Sequence, residues 1–196
     1  MSPAKFLRIS ASCAISLCSL ILIAWGPTAR AETLELPRLM QLLAAAPASE
    51  VAFSEKKFSS LLATPVISSG RLVYRRPDTV EKNIDLPKKE RYVFTGDELI
   101  VTRNGADRRI PLSSQPLLSA FAASLRGTLG GNLPLLKSFF ELTLQGDEQS
   151  WRLDMIPVDK EISRYVSRVT ASGKSGMIAQ IEVREASGDH SVMQIR

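Results

Sequence analysis

Phe53-Ser54-Glu55-Lys56-Lys57-Phe58 opens a relay of short segments that decides the fold of this chain. The relay continues through Ser69-Gly70-Arg71-Leu72-Val73-Tyr74-Arg75-Arg76-Pro77-Asp78. After the break at Asp85-Leu86-Pro87 it resumes as Glu90-Arg91-Tyr92-Val93-Phe94, turns at Thr95-Gly96-Asp97 and returns as Glu98-Leu99-Ile100-Val101. A period of two places alternate side chains on opposite faces of a strand. Segments this short, separated by Gly, Pro and Asp, can be joined by tight turns. Parallel pairing would need crossovers of a dozen or more residues. The relay therefore predicts an antiparallel sheet.

Working outward, Leu36 to Ala46 predicts a helix, with Pro37 at a tolerated early position and Leu39, Met40, Leu42 and Leu43 in an apolar stripe. Pro47 ends it. Strands are expected at Val51–Phe58, Arg71–Arg75, Thr79–Leu86, Glu90–Thr95 and Glu98–Arg103, with a loop through Ala63-Thr64-Pro65. The middle changes period: Leu117, Leu118, Phe121, Leu125 and Leu129 recur at three and four, which predicts a helix over 115–129. Gly130-Gly131 interrupts it, and a second helix follows over 133–140. Strand alternation then returns at Phe140–Leu144, Trp151–Met155, Met177–Glu185 and Ser191–Ile195, with a helical turn within 159–166 and a strand near Arg168–Ala171.

The first 31 residues read as a secretory leader. Lys5 and Arg8 begin it, an apolar run from about Ile9 to Trp25 follows, and Ala29-Arg30-Ala31 offers small-x-small cleavage after Ala31. Ser10, Ser12, Ser16 and Ser19 dilute the run, which argues against a retained anchor. Cys18 follows the bulky Leu17 and Cys13 precedes most of the apolar run, so lipoprotein processing does not fit. Both cysteines leave with the leader, and the mature chain, residues 32–196, would fold as one domain without a disulfide. The leader holds three of the 25 basic residues and no acid, so the formal charge of +5 falls to 22 basic against 20 acidic, or +2. Acids and bases alternate along the strands, which excludes a nucleic-acid stripe.

Alternation groups Leu72 with Tyr74, Tyr92 with Phe94 and Leu99 with Val101. It likewise groups Leu142 with Leu144, Leu153 with Met155 and Ile181 with Val183. The intervening side chains are mostly Arg, Glu, Lys, Thr and Asp. A sheet with one apolar face must cover it, and the N-terminal and two central helices are the available covers. Periodicity leaves open whether the covered space is a filled core or a lined pocket. No catalytic or metal site is expected. The mature chain has no cysteine and one histidine, His190, in a turn beside Gly188-Asp189, and it has no nucleophile elbow or phosphate loop. Carboxylates such as Glu55 with Asp78 or Glu81 could share acid–base work, but a solvated strand face accounts for them.

The order of these pieces resembles the LolA-like carriers of outer-membrane lipoproteins. The motifs that carry the resemblance are Phe53-Ser54-Glu55, Gly70-Arg71-Leu72-Val73-Tyr74-Arg75-Arg76-Pro77, the Gly96-Asp97 hairpin and the paired helices, spread over the whole mature chain. The strand Asp78-Thr79-Val80-Glu81-Lys82-Asn83-Ile84 lacks the aromatic residues of the best-known carriers, which marks a divergent branch. The resemblance implies a mainly β, α+β fold: a curved, incompletely closed antiparallel barrel with helices in its concave face as a lid. It further implies an apolar cavity lined by Leu72, Tyr74, Tyr92, Phe94, Leu99, Val101, Leu142, Leu144, Leu153, Met155, Ile181 and Val183. Leu118, Phe121, Leu125, Leu136 and Phe139 would be the lid residues, and Arg76 the latch that bonds lid backbone groups.

By the same resemblance the chain is a periplasmic monomer without cofactor. It would take lipidated protein or lipid as cargo from an inner-membrane exporter and deliver it to an outer-membrane acceptor. The other reading is an envelope sensor or assembly factor that uses the fold to bind a protein and moves no lipid.

Overall fold

The computed structural model describes residues 33–47 and 50–196. The expected leader, with its expected cleavage after Ala31, lies outside the described residues. Chain order is α1 (Leu36–Ala45), β1 (Glu50–Phe58), β2 (Val66–Arg75), β3 (Thr79–Leu86), β4 (Glu90–Thr95), β5 (Glu98–Arg103) and β6 (Ala106–Pro111). A single 3-10 turn, Leu112–Ser114, leads into α2 (Pro116–Gly130) and α3 (Leu133–Phe139). Then come β7 (Phe140–Asp147), β8 (Ser150–Pro157), α4 (Lys160–Ser163), β9 (Val166–Lys174), β10 (Met177–Glu185) and β11 (His190–Ile195).

All eleven strands form one antiparallel sheet in the order β6-β5-β4-β3-β2-β1-β11-β10-β9-β8-β7. Two meanders meet where β1 pairs β11, with Phe53 opposite Ile195. The outer edges, β6 and β7, are not joined to each other. Between them the chain leaves the sheet and crosses its apolar face as α2 and α3.

That crossing forces the curvature. On α2, Phe121 meets Phe94 of β4 with ring centroids 5.5 Å apart. The Thr128 hydroxyl of the same helix reaches the Met155 sulfur of β8 at 3.9 Å. Strands β4 and β8 are seven places apart, about 34 Å in a flat sheet at ~4.8 Å per strand. A helix with its side chains is only ~10–12 Å across. One helix can touch both strands only if the sheet wraps around it. The result is an open half-barrel with helices in its concavity, the fold that the resemblance implies.

Most expected elements stand where the pattern puts them, and two differ. Strand β2 begins at Val66, five residues before the expected Arg71, because Val66 and Ile67 pair with Lys57 and Lys56 although both remain exposed. Strand β6, Ala-Asp-Arg-Arg-Ile-Pro, is absent from the sequence reading. An edge strand with water on most sides needs no apolar alternation, and its Asp107, Arg108 and Arg109 discourage pairing with another chain.

The convex face has its own polar anchor at Glu81, which is 7 % exposed between Val73 and Val93 of the flanking strands. Its carboxylate accepts from Arg91 Nε at 2.8 Å, Arg75 Nη1 at 2.8 Å and Asn83 Nδ2 at 3.0 Å. The Arg91 hydrogen bond is the main cause that lowers its pKa from 4.5 to about 2. Burial opposes it, and Arg75 and Asn83 add to it. A lowered carboxylate pKa contributes stability that is complete above the unfolded value and lost as pH falls toward the folded one. Chemical denaturation at pH 6 and at pH 3 should therefore show a clear loss in the wild type. In Glu81→Gln the loss should be smaller and stability at pH 6 lower by about 2–3 kcal/mol.

Candidate functional site

The concave face is continuous across the sheet. Register places Tyr74 beside Val80, Val80 beside Phe94 and Phe94 beside Leu99. On the other meander it places Ile181 beside Ala171, Ala171 beside Leu153 and Leu153 beside Leu144. All twelve residues expected to line a cavity lie on this face.

Two packed clusters divide it. One joins Tyr74, Phe94 and Leu99, with Tyr92 and Val101, to Leu118, Phe121, Leu125 and Leu129 of α2. The other joins Leu153 and Met155, with Leu142, Leu144, Ile181 and Val183, to Leu39, Met40 and Leu43 of α1 and to Leu136 and Phe139 of α3. Adjacent α2 residues serve different clusters, Leu117 the second and Leu118 the first.

Between the clusters, beneath the end of α1, is a partly open apolar cavity of about 460 Å³. Leu72, Tyr74 and Val80 form one wall, Ile178 and Ile181 the other, and Leu125 and Leu129 of α2 the roof, with Leu43, Ala46 and Pro47 at the α1 side. Its volume lies within the roughly 300–1,000 Å³ of small-molecule sites. The charged residues along its wall are Lys174 and Arg196. A smaller apolar hollow of about 190 Å³ lies under the start of α2, against Leu118, Phe121, Ile162 and Val183. A groove of about 470 Å³ along Thr33, Glu35, Arg38 and Asp147 is bordered mainly by polar side chains and is set apart from the concave face.

Of the expected lining residues, Leu72, Tyr74 and Ile181 border the larger cavity and Val183 the smaller one. Among the lid residues, Leu125 roofs the larger and Leu118 and Phe121 the smaller. Tyr92, Phe94, Leu99 and Val101 pack against α2. Leu142, Leu144, Leu153, Met155, Leu136 and Phe139 pack in the α1–α3 cluster. Sequence reasoning missed Ile178, Leu129, Leu43 and Val51 as cavity wall. Ile178 escapes strict alternation with Ile181 because the ladder shifts register between Ile178 and Gln180. Leu129 was in the helical stripe and could have been chosen from it.

Arg76 holds the end of α1, whose Ala46 borders the larger cavity. Its Nη2 donates to the Ala44 carbonyl and, at 2.6 Å, to the Ala46 carbonyl, the last acceptors of α1. Its guanidinium carbon lies 5.7 Å from the Tyr74 ring centroid, and Tyr74 in turn donates to the Pro77 carbonyl at 3.0 Å. The helix it holds is thus α1, whereas the expected lid residues are on α2 and α3. Arginine suits this position because the terminal carbonyls of a helix have no partner within the helix and carry its negative end.

Two glycines let α1 come close. Gly131 has φ +64°, and a Cβ there would lie 2.2 Å from the Met40 carbonyl oxygen. A Cβ at Gly176 would lie 2.3 Å from the Leu42 carbonyl oxygen. With Arg76 they form a three-point seat for α1.

The concave face is not apolar throughout. Lys82 follows Leu72 in register and donates to Glu55 at 2.6 Å, with its ammonium 5.0 Å from the Phe53 ring centroid. Farther along, Tyr92 donates to Glu90 at 2.5 Å and accepts from Arg103 at 2.6 Å. Burial is the main cause that raises the Tyr92 pKa, with Glu90 beside it. Glu55, Asp78 and Glu81 do not converge: Glu55 is inside, Glu81 outside, and Asp78 accepts from the Gly96 amide at the opposite end of the strands. Among the described residues no group of three His, Cys, Asp or Glu could hold a metal, and no helix is long and apolar enough to cross a membrane.

The sequence matches over residues 28–194 the family model described as outer membrane lipoprotein carrier protein LolA-like. Among solved structures, it is similar to a LolA superfamily protein from Nitrosomonas europaea. The two are 13 % identical over 82 % of this chain and 89 % of that one, with a TM-score of 0.45. A putative outer membrane lipoprotein-sorting protein domain from Vibrio parahaemolyticus is 10 % identical over 83 % and 89 %, with a TM-score of 0.45. In the Pseudomonas aeruginosa MucA/MucB complex, the matched chain is 11 % identical over 83 % of this chain and 56 % of its own length, with a TM-score of 0.45. No curated protein matches.

Arg76→Leu removes two bonds to the end of α1 without touching the sheet. Amide hydrogen exchange of peptides covering residues 36–47 should become clearly faster, while global stability falls by no more than about 1–3 kcal/mol. Equal exchange in wild type and variant would mean that Arg76 does not hold the helix.

Proposed function

The chain belongs to the LolA-like family of outer-membrane lipoprotein carrier proteins, and from that premise we propose that it carries acyl chains through the periplasm. On this reading residues 1–31 direct export and are removed after Ala31. The mature protein receives a lipoprotein or another lipid at the inner membrane and yields it to an acceptor at the outer membrane. It does so without a cofactor and without a chemical step.

The observation that supports the reading is the apolar cavity of about 460 Å³ bounded by Leu72, Tyr74, Ile181 and Leu125 and edged by the end of α1. Transfer of acyl chain out of water contributes about 0.8 kcal/mol per methylene, so a 16-carbon chain is worth on the order of 12 kcal/mol. A free lipid would almost never leave a membrane against that term. An apolar cavity open to one side offsets most of it.

Unloading requires that the offset be incomplete. The helices supply an adjustable term, since cargo larger than the cavity must displace the contacts that α1 and α2 make with the concave face. Arg76 makes that displacement stepwise. Its bonds to Ala44 and Ala46 are polar, geometrically specific and replaceable by water, so they hold α1 in place without making it permanent.

The test is native and denaturing mass spectrometry on protein purified from the periplasm without detergent. The expected result is a discrete added mass that extracts into organic solvent. Filling the cavity with Ile181→Trp should reduce that mass to a minor fraction, with the fold retained by circular dichroism. Arg76→Leu should change the rate at which lipid is loaded or released. A clean apo mass after incubation with envelope lipids would transfer the assignment to a module that binds a protein partner.

A further inference from the structure

The ends of the half-barrel differ in what they show to water. Antiparallel pairing puts the β1–β2, β3–β4, β5–β6, β8–β9 and β10–β11 connections on one rim, and α1, Arg76 and the mouth of the larger cavity on the other. Among the described residues, the exposed large apolar side chains are Phe58, Leu61, Leu62, Val66, Ile67, Leu86, Ile156, Val158, Tyr165 and Met177. All but Met177 belong to the first rim. Scattered exposed leucines need no explanation, but a whole rim of them does.

The β1–β2 loop is the centre of this rim and is held stiffly. Asp189 accepts from the Ser59 hydroxyl at 2.6 Å and from the Ser60 amide at 2.9 Å, and the Leu62 amide donates to the Ser59 carbonyl at 3.1 Å. This scaffold presents Leu61, 89 % exposed, and Leu62, 51 % exposed, at its tip. Val66 and Ile67 continue the apolar surface down β2. Ser69 stands opposite Leu86, which carries it to the β3–β4 connection.

Charge is distributed unevenly around the tip. Lys56 pairs in register with Ile67, and Lys88 and Lys89 follow Leu86; all three are exposed, and none makes a salt bridge among the described residues. Of the nearby acids, Asp189 is turned onto Ser59 and Ser60, and Glu185 accepts from Lys57 at 2.9 Å. Asp85 is the acid left facing water in this strip.

We propose that this rim docks on an anionic lipid surface, with Leu61 and Leu62 entering the interface and Lys56, Lys88 and Lys89 on lipid phosphates. A projecting apolar tip with a cationic surround suits a bilayer, where side chains enter at headgroup depth and each nearby lysine adds attraction. A protein partner would be met better by a flat or grooved apolar surface. The docking is independent of what fills the cavity, because the two features lie at opposite ends of the strands.

Co-sedimentation of the exported chain with vesicles tests this. One set contains phosphatidylethanolamine with phosphatidylglycerol and the other only phosphatidylcholine. The wild type should sediment with the anionic set, and less so as salt is raised. The double variant L61E/L62E, at sites too exposed to disturb the core, should lose roughly tenfold in partitioning per leucine. K88E/K89E should lose about fivefold per lysine on the anionic vesicles and little on the neutral ones. Circular dichroism and thermal midpoints should match the wild type in both variants. A wild type that stays in the supernatant with both vesicle sets would overturn the proposal, leaving a protein partner for the rim. Equal sedimentation of L61E/L62E and wild type would also overturn it. Either result leaves the lipid content of the cavity, measured separately, unaffected.

Discussion

One helix has to serve two halves of an eleven-stranded sheet, and most of the architecture follows from that constraint. On α2, Phe121 belongs to the β3–β5 side and Thr128 to the β8 side, so the sheet must bend until both reach a rod about 10–12 Å wide. The same helix is part of the connection from β6 to β7. The edges it connects, β6 and β7, stay unpaired with each other, and the apolar face stays accessible between the two clusters that α2 organises.

The first helix converts that accessible strip into a bounded cavity. Leu39, Met40 and Leu43 anchor it in the core, and polar contacts with close backbone approach fix its end. Arg76 takes its terminal carbonyls, while Gly131 and Gly176 let its backbone come within reach of α2 and the β9–β10 hairpin. The Arg76 part of this seat is specific in geometry yet modest in energy, because exposed hydrogen bonds exchange readily with water.

The polar residues on the concave face add a direction to the interior. From the α1 end toward the other rim, the lining passes from Leu72, Tyr74 and Val80 to Lys82 with Glu55, and then to Glu90, Tyr92 and Arg103. Each charge there is paired, which burial in a partly apolar environment demands. Beyond them the rim becomes apolar again, this time facing outward. On the β1–β5 side an inward apolar end beneath α1 and an outward apolar end at Leu61 and Leu62 are thus separated by paired polar side chains.

Alternation from Leu72 through Val183 determined that one sheet face is apolar, and the change to a period of three and four between Leu117 and Leu129 determined that helices cover it. Strands such as Thr79–Leu86 and Glu90–Thr95 were legible to the residue because turn residues bound them. Strand β6 was not, since an edge strand carries no alternation. The inward placement of Lys82 and Glu55 was hidden because a charge reads the same whether water or an opposite charge satisfies it. Pairing of β1 with β11, the reach of Arg76 to Ala44 and Ala46, and the cavity left between two clusters were decided only in three dimensions. They depend on which distant residues the curl of the sheet brings within a few ångströms. Local periodicity reports the face on which a side chain lies; the partners it meets there are set by closure of the whole chain.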